Sequence, residues 1–213
     1  MATGEPDRGT LSLPGAELGW WPQFLPDGAA QGALDQLTAE LPWRQESIRM
    51  FGRDIDEPRL VSWHGDPAAV YRYSGRTNQP QPWTPTLLRL RGLIEAVSET
   101  TYNSVLGNLY RSGADHMGWH SDDERELGPD PVIASLSLGG PRRMQFRARG
   151  GGKPALEVLL TSGSLLVMAG QTQRRYQHRI VKTARPTEPR INLTFRRVLP
   201  RQRSDPARGG RPD

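Results

Sequence analysis

At 213 residues and 23.8 kDa, with 35% hydrophobic and 24% charged residues, the chain has apolar material for one sizeable domain plus tails, not for two full-sized domains. It contains no cysteine, which excludes a disulfide scaffold, Cys-bound zinc, iron–sulfur clusters and thiol nucleophiles. The formal charge of +5 is lopsided: residues 171–213 hold 12 Lys/Arg against 3 Asp/Glu, so the upstream part is net acidic, and a basic end of this kind favours a polyanionic partner, nucleic acid first.

Residues 1–12 are polar and lack the apolar core of a signal peptide. No apolar run approaches the ~20 residues of a membrane span. The expectation is a cytoplasmic protein without membrane contact, taken as a monomer. Residues 1–13 read as a disordered tail, 14–199 as one domain and 200–213 as a basic disordered tail, because Gly/Pro/polar segments bury too little to offset their ordering entropy. Residues 29–41 (AAQGALDQLTAEL) place Ala30, Ala33, Leu34, Leu37 and Leu41 at helical spacing, and Pro42 ends the run. Residues 85–98 (PTLLRLRGLIEAVS) predict a second helix, with Pro85 suited to its first turn and a broad apolar face. After residue 100 the pattern changes to short strands punctuated by Gly and Pro: 105–110, 131–138, 142–148, 156–160, 164–168, 177–181 and 190–198. Two helices followed by many evenly spaced strands predict an α+β protein with a sandwich or barrel core and the helices packed outside it.

The last strand carries chemistry. In Arg190-Ile-Asn-Leu-Thr-Phe-Arg196, Ile191, Leu193 and Phe195 share one face, and Arg190, Asn192, Thr194 and Arg196 share the other. If that second face points into a barrel, its two arginines need anionic partners, because a buried unpaired charge is very costly. Six residues apart, roughly 20 Å along a strand, they suit the two ends of an extended dicarboxylate. The second feature is His120-Ser121-Asp122. On a strand, positions i and i+2 converge on one face, and a distant histidine would complete the two-His-one-carboxylate arrangement that leaves open positions on non-haem Fe(II). Of the other histidines, His178 lies on a predicted strand and is the natural third ligand. Iron together with a dicarboxylate points to oxidation driven by 2-oxoglutarate.

The segments Asn108-Leu-Tyr-Arg-Ser-Gly-Ala-Asp115, His120-Ser-Asp-Asp-Glu124, His178 and RINLTFR from Arg190, in that order, resemble the AlkB family of 2-oxoglutarate/Fe(II) dioxygenases. HSDDEREL from His120 and PRLVSWHGD from Pro58 resemble most closely the animal-type members that repair duplex DNA. The resemblance implies a double-stranded β-helix, or jelly roll, with Fe(II), 2-oxoglutarate and O2 as cofactors. It implies that His120, Asp122 and His178 hold the iron. Asn108 and Tyr110 would hydrogen-bond the co-substrate carboxylates, Arg190 would pair with the distal one, Arg196 would lie near the carboxylate on iron, and Asn192 and Thr194 would line the same face. The implied reaction is oxidative demethylation of N-alkylated bases such as 1-methyladenine and 3-methylcytosine in single- or double-stranded DNA, with release of aldehyde, succinate and CO2. RNA, protein or small-molecule substrates of the same chemistry are the alternative. A base must leave the stack to reach the iron. Tyr71, Arg72, Tyr73 and Ser74 match the family's pocket strand, where Tyr73 would stack on the base opposite the His120 ring, with Tyr71, Asp123 and Glu124 at its polar edge. Met50, Phe51, Gly52 and Arg53 match an intercalating finger, an apolar wedge of the kind that opens duplexes.

Overall fold

The structure of the protein, a computed structural model, describes residues 7–50, 53–73, 76–185 and 187–199. In chain order the elements are β1 (Glu17–Trp21), α1 (Asp27–Glu40), β2 (Arg44–Met50), β3 (Arg53–Gly65), β4 (Tyr71–Tyr73), β5 (Arg76–Asn78) and α2 (Pro85–Ser98). Then come β6 (Ser104–Tyr110), β7 (Met117–His120), β8 (Ile133–Gly139), β9 (Arg142–Ala148), β10 (Leu156–Leu160), β11 (Leu165–Ala169), α3 (Thr172–Arg175), β12 (Tyr176–Ile180) and β13 (Arg190–Arg196). A seven-stranded sheet runs β1-β11-β8-β13-β6-β3-β2, a four-stranded sheet runs β10-β9-β12-β7, and β4 and β5 form a separate pair. The strands from β6 to β13 divide four and four between the two larger sheets, which is the double-stranded β-helix. β1 extends the larger sheet at one edge, and β3 and β2 extend it at the other.

The alternation of residues 190–196 decides the layering. Ile191, Leu193 and Phe195 are fully buried in one cluster with Ala30, Ala33 and Leu37 of α1 and Leu87, Leu90 and Ile94 of α2. The two helices therefore cover the outer face of the larger sheet. α2 starts where Pro85 follows Thr84, whose hydroxyl accepts from the Leu87 N–H at 3.2 Å, an N-cap that satisfies one otherwise orphaned donor. A second cluster, with Met144, Phe146, Val158 and Ile180 from the smaller sheet and Ile133, Leu166 and Met168 from the larger, fills the space between the sheets. The polar face of β13 points into that same space.

Two expectations need correction. Residues 8–13 were expected to belong to a disordered tail, yet Gly9 donates its N–H to the Trp20 carbonyl at 2.8 Å and Leu13 is buried in the inter-sheet cluster. A Cβ at Gly9 would stand 2.5 Å from the Trp20 ring, so the absence of a side chain lets this segment lie against β1. Before residue 100 the residue pattern itself predicts two helices, and only the family resemblance adds a strand, at 71–74; the structure has β1, β2, β3 and β5 there as well as β4. The first half of β3 is charged and exposed, in a two-stranded ribbon with β2, and lacks the apolar alternation that marks a half-buried strand. No helix among the described residues is long and apolar enough to cross a membrane.

Candidate active site

The antiparallel pairing of β12 with β7 sets His178 directly opposite His120, and their ring centroids are 4.2 Å apart. Asp122 lies just beyond the end of β7 rather than on the strand, so it is a loop and not the i, i+2 geometry that brings its carboxylate round. That loop is bolted down: the Asp122 N–H donates to the buried Gln173 side chain at 3.0 Å, and the Ser121 hydroxyl to the Tyr176 carbonyl at 2.9 Å. One potential ligand atom each from His120, Asp122 and His178 lie within 4.8 Å of one another. His120 Nδ1 is 2.9 Å from the Gly118 carbonyl, which can only accept, so the proton sits on Nδ1 and the Nε2 lone pair is available to a metal. Two imidazoles and one carboxylate so placed fit Fe(II) with positions left open.

Arg196 Nη2 donates to Asp122 Oδ1 at 2.5 Å, both groups being buried. Burial alone would raise the Asp122 carboxyl, but Arg196 and the two imidazoles outweigh it and hold it well below the usual carboxylate range. Burial, reinforced by His120, pushes His178 far down against the opposing pull of Asp122, so this imidazole is neutral and ready to ligate.

The other end of β13 carries the second half of the site. Arg190 pairs in register with Tyr110, and Asn192 with Asn108. Arg190 is 1% exposed; its Nη2 donates to Ser137 Oγ at 2.9 Å and Asn192 Oδ1 at 2.8 Å, and its guanidinium stands over the Tyr110 ring. Its Nε and Nη1 are buried without a partner. A buried guanidinium with two unused donors is a site for a carboxylate. Asn192 in turn donates to Thr194 Oγ1 at 2.8 Å. An inner cavity is lined by Asn108, Tyr110, Asn192, Thr194 and Arg196 together with all three metal-ligand candidates, so the residues present fit 2-oxoglutarate beside iron.

A wider cleft shares His120, Asp122 and Arg196 with the inner cavity and opens outward past Trp63, Met117 and Glu124. Glu124 Oε2 is buried there without a partner. Asp123, by contrast, does not line the cleft; it pairs with Arg149 at 2.5 Å near the surface. Arg53 is exposed at the start of β3 and pairs in register with Met50 of β2. Phe51, Gly52 and Ser74 lie outside the described residues, as do the side chains of Met50, Tyr71, Arg72 and Tyr73.

Sequence reasoning missed a buried pair in the cleft wall. Arg59 bonds Glu57 at 3.0 Å and donates from Nε to Asn108 Oδ1 at 2.8 Å, which fixes the amide that faces the inner cavity. Opposite charges at i and i+2 on a strand share a face, and Glu57-Pro58-Arg59 carries that signal.

The burial of neutral imidazoles sets a pH dependence. His64 on β3 accepts from the Ser62 hydroxyl at Nε2 (2.8 Å) and donates from Nδ1 to the Pro82 carbonyl (2.7 Å); burial lowers its pKa, against the upward pull of that carbonyl. His178 is lowered as well. In the metal-free protein the unfolded chain takes up protons near the ordinary imidazole value of ~6.5 while the folded chain does not. Stability is therefore full above about pH 6.5 and falls as pH drops, by up to ~1.4 kcal/mol per pH unit for each such histidine. Urea unfolding at pH 7, 6 and 5 with a chelator present measures the slope, and a flat profile would contradict the burial of neutral rings.

The profile of the 2OG-Fe(II) oxygenase superfamily matches residues 17–196. The chain is 40% identical over 195 residues to human alpha-ketoglutarate-dependent dioxygenase alkB homolog 3, covering 87% of this chain and 68% of the relative. It is 40% identical over 159 residues to human DNA oxidative demethylase ALKBH2, covering 71% of this chain and 61% of the relative. The solved structure of OsALKBH1 superposes with a TM-score of 0.62 at 18% identity, over 88% of this chain and 100% of that one, a similarity of fold.

Proposed function

From a chain that belongs to the AlkB family of Fe(II)- and 2-oxoglutarate-dependent dioxygenases, we infer oxidative demethylation of N-alkylated nucleobases, such as 1-methyladenine and 3-methylcytosine, in DNA. Its cofactors are Fe(II), 2-oxoglutarate and O2. The observation that carries the reading is the placing of the metal-ligand candidates: all three line the inner cavity, and His120 and Asp122 are shared with the wider cleft, where Glu124 Oε2 has no partner. Held by His120, Asp122 and His178, iron with 2-oxoglutarate and O2 would supply hydroxylation of the N-alkyl carbon, with CO2 and succinate as co-products, and loss of the hydroxylated group as aldehyde would leave the unmodified base in the strand.

The chain's own groups bind and orient. Arg190 takes the distal carboxylate of 2-oxoglutarate on its two unused donors, in a pocket dry enough to strengthen the pair. Asn108, with its amide oxygen held by Arg59, presents its NH2 to the cavity. Arg196 holds the Asp122 carboxylate ionised and aimed. Met144, Met168 and Ile180 line the inner cavity and exclude water from it. The base enters past Trp63 and Met117, where the free oxygen of Glu124 can accept an N–H from its edge and favours a cationic, alkylated ring over a neutral one. We place the activity in DNA repair by a cytoplasmic monomer, which cell fractionation and sedimentation test.

The direct experiment loads the protein anaerobically with Fe(II) and 2-oxoglutarate, admits air, and follows methylated oligonucleotides by mass spectrometry. Loss of 14 Da per methylated base with formaldehyde release is expected, while turnover confined to peptides or small molecules would overturn the substrate class. The same assay addresses Phe51. As a wedge that fills the gap left by a flipped base, it matters when a stacked duplex must be opened, a cost of a few kcal/mol that single strands avoid. Phe51→Ala is expected to slow duplex repair strongly and single-strand repair weakly. A core phenylalanine would instead lose ~3–5 kcal/mol of stability and depress both rates together.

A further inference from the structure

A second buried cation lies against Tyr110, which lines the inner cavity. Arg142, at the start of β9, is 2% exposed. Its Nη1 donates to the Ser112 carbonyl at 3.1 Å, and its Nη2 donates to the Asp115 and Val181 carbonyls, both at 2.7 Å. These carbonyl oxygens take protons of Nη1 and Nη2, Nε is buried without a partner, and none of the carbonyls cancels the charge. Asp115, the carboxylate among the described residues that acts on it, is already gripped by Arg111 through bonds of 2.8 and 3.0 Å. Arg142 also lies against the Tyr110 ring, its Cζ 5.6 Å from the centroid, and Arg190 lies 5.1 Å from the same centroid. Two guanidinium groups thus share one phenol ring, and no described carboxylate neutralises either of them in full. Burial pushes Arg190 down to about 10, and Arg142 adds to that push while Tyr110 opposes it. Like charges buried together are costly unless an anion joins them. The free edge of Arg190 is where that anion can sit.

We propose that Arg142 is a positioning residue of the co-substrate pocket: it fixes Tyr110 and supplies a second positive charge, so that the pocket selects a dicarboxylate over a monocarboxylate of equal length. This rests on the reading of the inner cavity as the 2-oxoglutarate site. Arg142 reaches that site through Tyr110 and Arg190, not by touching the ligand. The carbonyls it binds lie in the loop from Tyr110 to β7, which delivers His120, and directly after β12, which carries His178. The same side chain therefore ties the start of β9 to the loop before β7 and to the end of β12.

The test is a binding titration without turnover. Wild type, Arg142→Gln and Arg142→Lys are loaded with redox-silent Mn(II) under argon. Each is titrated calorimetrically with 2-oxoglutarate and with 2-oxopentanoate, which has the same length and no distal carboxylate. Wild type is expected to prefer 2-oxoglutarate. Arg142→Gln should cut that preference about tenfold, the effect of a unit charge roughly 10 Å away in a partly polar interior. Arg142→Lys, which keeps the charge and loses the fork, should weaken both acids while retaining most of the preference. Equal weakening of both acids in the Gln variant, or loss of preference in the Lys variant, would overturn the proposal. If the Gln variant does not fold, the Lys variant decides by the same ratio. A wild type that binds both acids equally would instead defeat the co-substrate reading itself, which separates the two failures.

Discussion

Asp122→Ala is expected to abolish turnover and to destabilise the metal-free protein by about 3–5 kcal/mol, the usual consequence of removing one partner from a buried ion pair. Two effects meet at this residue. The carboxylate is one of three ligand candidates clustered within 4.8 Å, so its loss leaves iron two imidazoles. It is also the 2.5 Å partner of Arg196, whose guanidinium is buried beside it. The double variant Asp122→Ala/Arg196→Met removes both charges. It should recover most of the lost stability and none of the activity, since replacing a buried pair by apolar groups is often near neutral. Urea unfolding of the apoprotein and turnover at saturating iron separate the two effects. Near-normal turnover of the single variant with stoichiometric iron would remove Asp122 from the ligand set.

The second large effect concerns Arg190, and its sign differs with and without ligand. Arg190→Met should raise the 2-oxoglutarate requirement by about ten- to several-hundred-fold, because a charge-assisted pair in a dry pocket contributes a few kcal/mol at tenfold per ~1.4 kcal/mol. Without ligand, the same change should leave thermal stability unchanged or raised. Two of the Arg190 nitrogens carrying N–H are buried without a partner, so the resting protein bears a desolvation cost that an apolar side chain of similar volume does not. The stabilisation that 2-oxoglutarate confers on wild type should vanish. A large fall in ligand-free melting temperature would mean that Arg190 holds the fold together rather than awaiting an anion. A loss of DNA affinity with an unchanged co-substrate requirement would mean that this face of β13 serves the nucleic acid.

The barrel was legible where local pattern and burial agree. Residues 142–148 and 156–160 read as strands from alternation and have those bounds in the structure. Residues 85–98 read as a helix because Pro85 and the apolar stripe point the same way. Segments whose burial comes from distant partners were not legible. Residues 8–13 hold one glycine and two leucines among polar residues, and their order rests on β1, which supplies Trp20 for Gly9 to lie against. Asp123 and Glu124 are neighbours of the same chemistry, yet the turn after β7 sends one to Arg149 and leaves the other in the cleft. Nothing in their one-dimensional context distinguishes them.

The sequence by itself singled out the candidate metal-ligand set and the polar face of β13. The two-residue period of a strand puts Arg190, Asn192, Thr194 and Arg196 on one face whatever else the chain does, and His120-Ser-Asp122 with a distant His178 already spells a two-His-one-carboxylate set. Only the tertiary structure decided how those side chains are held. The register of β12 on β7 places His178 opposite His120, 58 residues apart in the chain, a loop and not a strand brings Asp122 round, and Arg196 closes on it from another sheet. Arg142 could not be singled out from the sequence at all, because its partners are main-chain carbonyls at residues 112, 115 and 181. Every residue except its own conformation is mute about where its carbonyl points, so the sequence carries the identity of a charge while the fold alone assigns its counterpart.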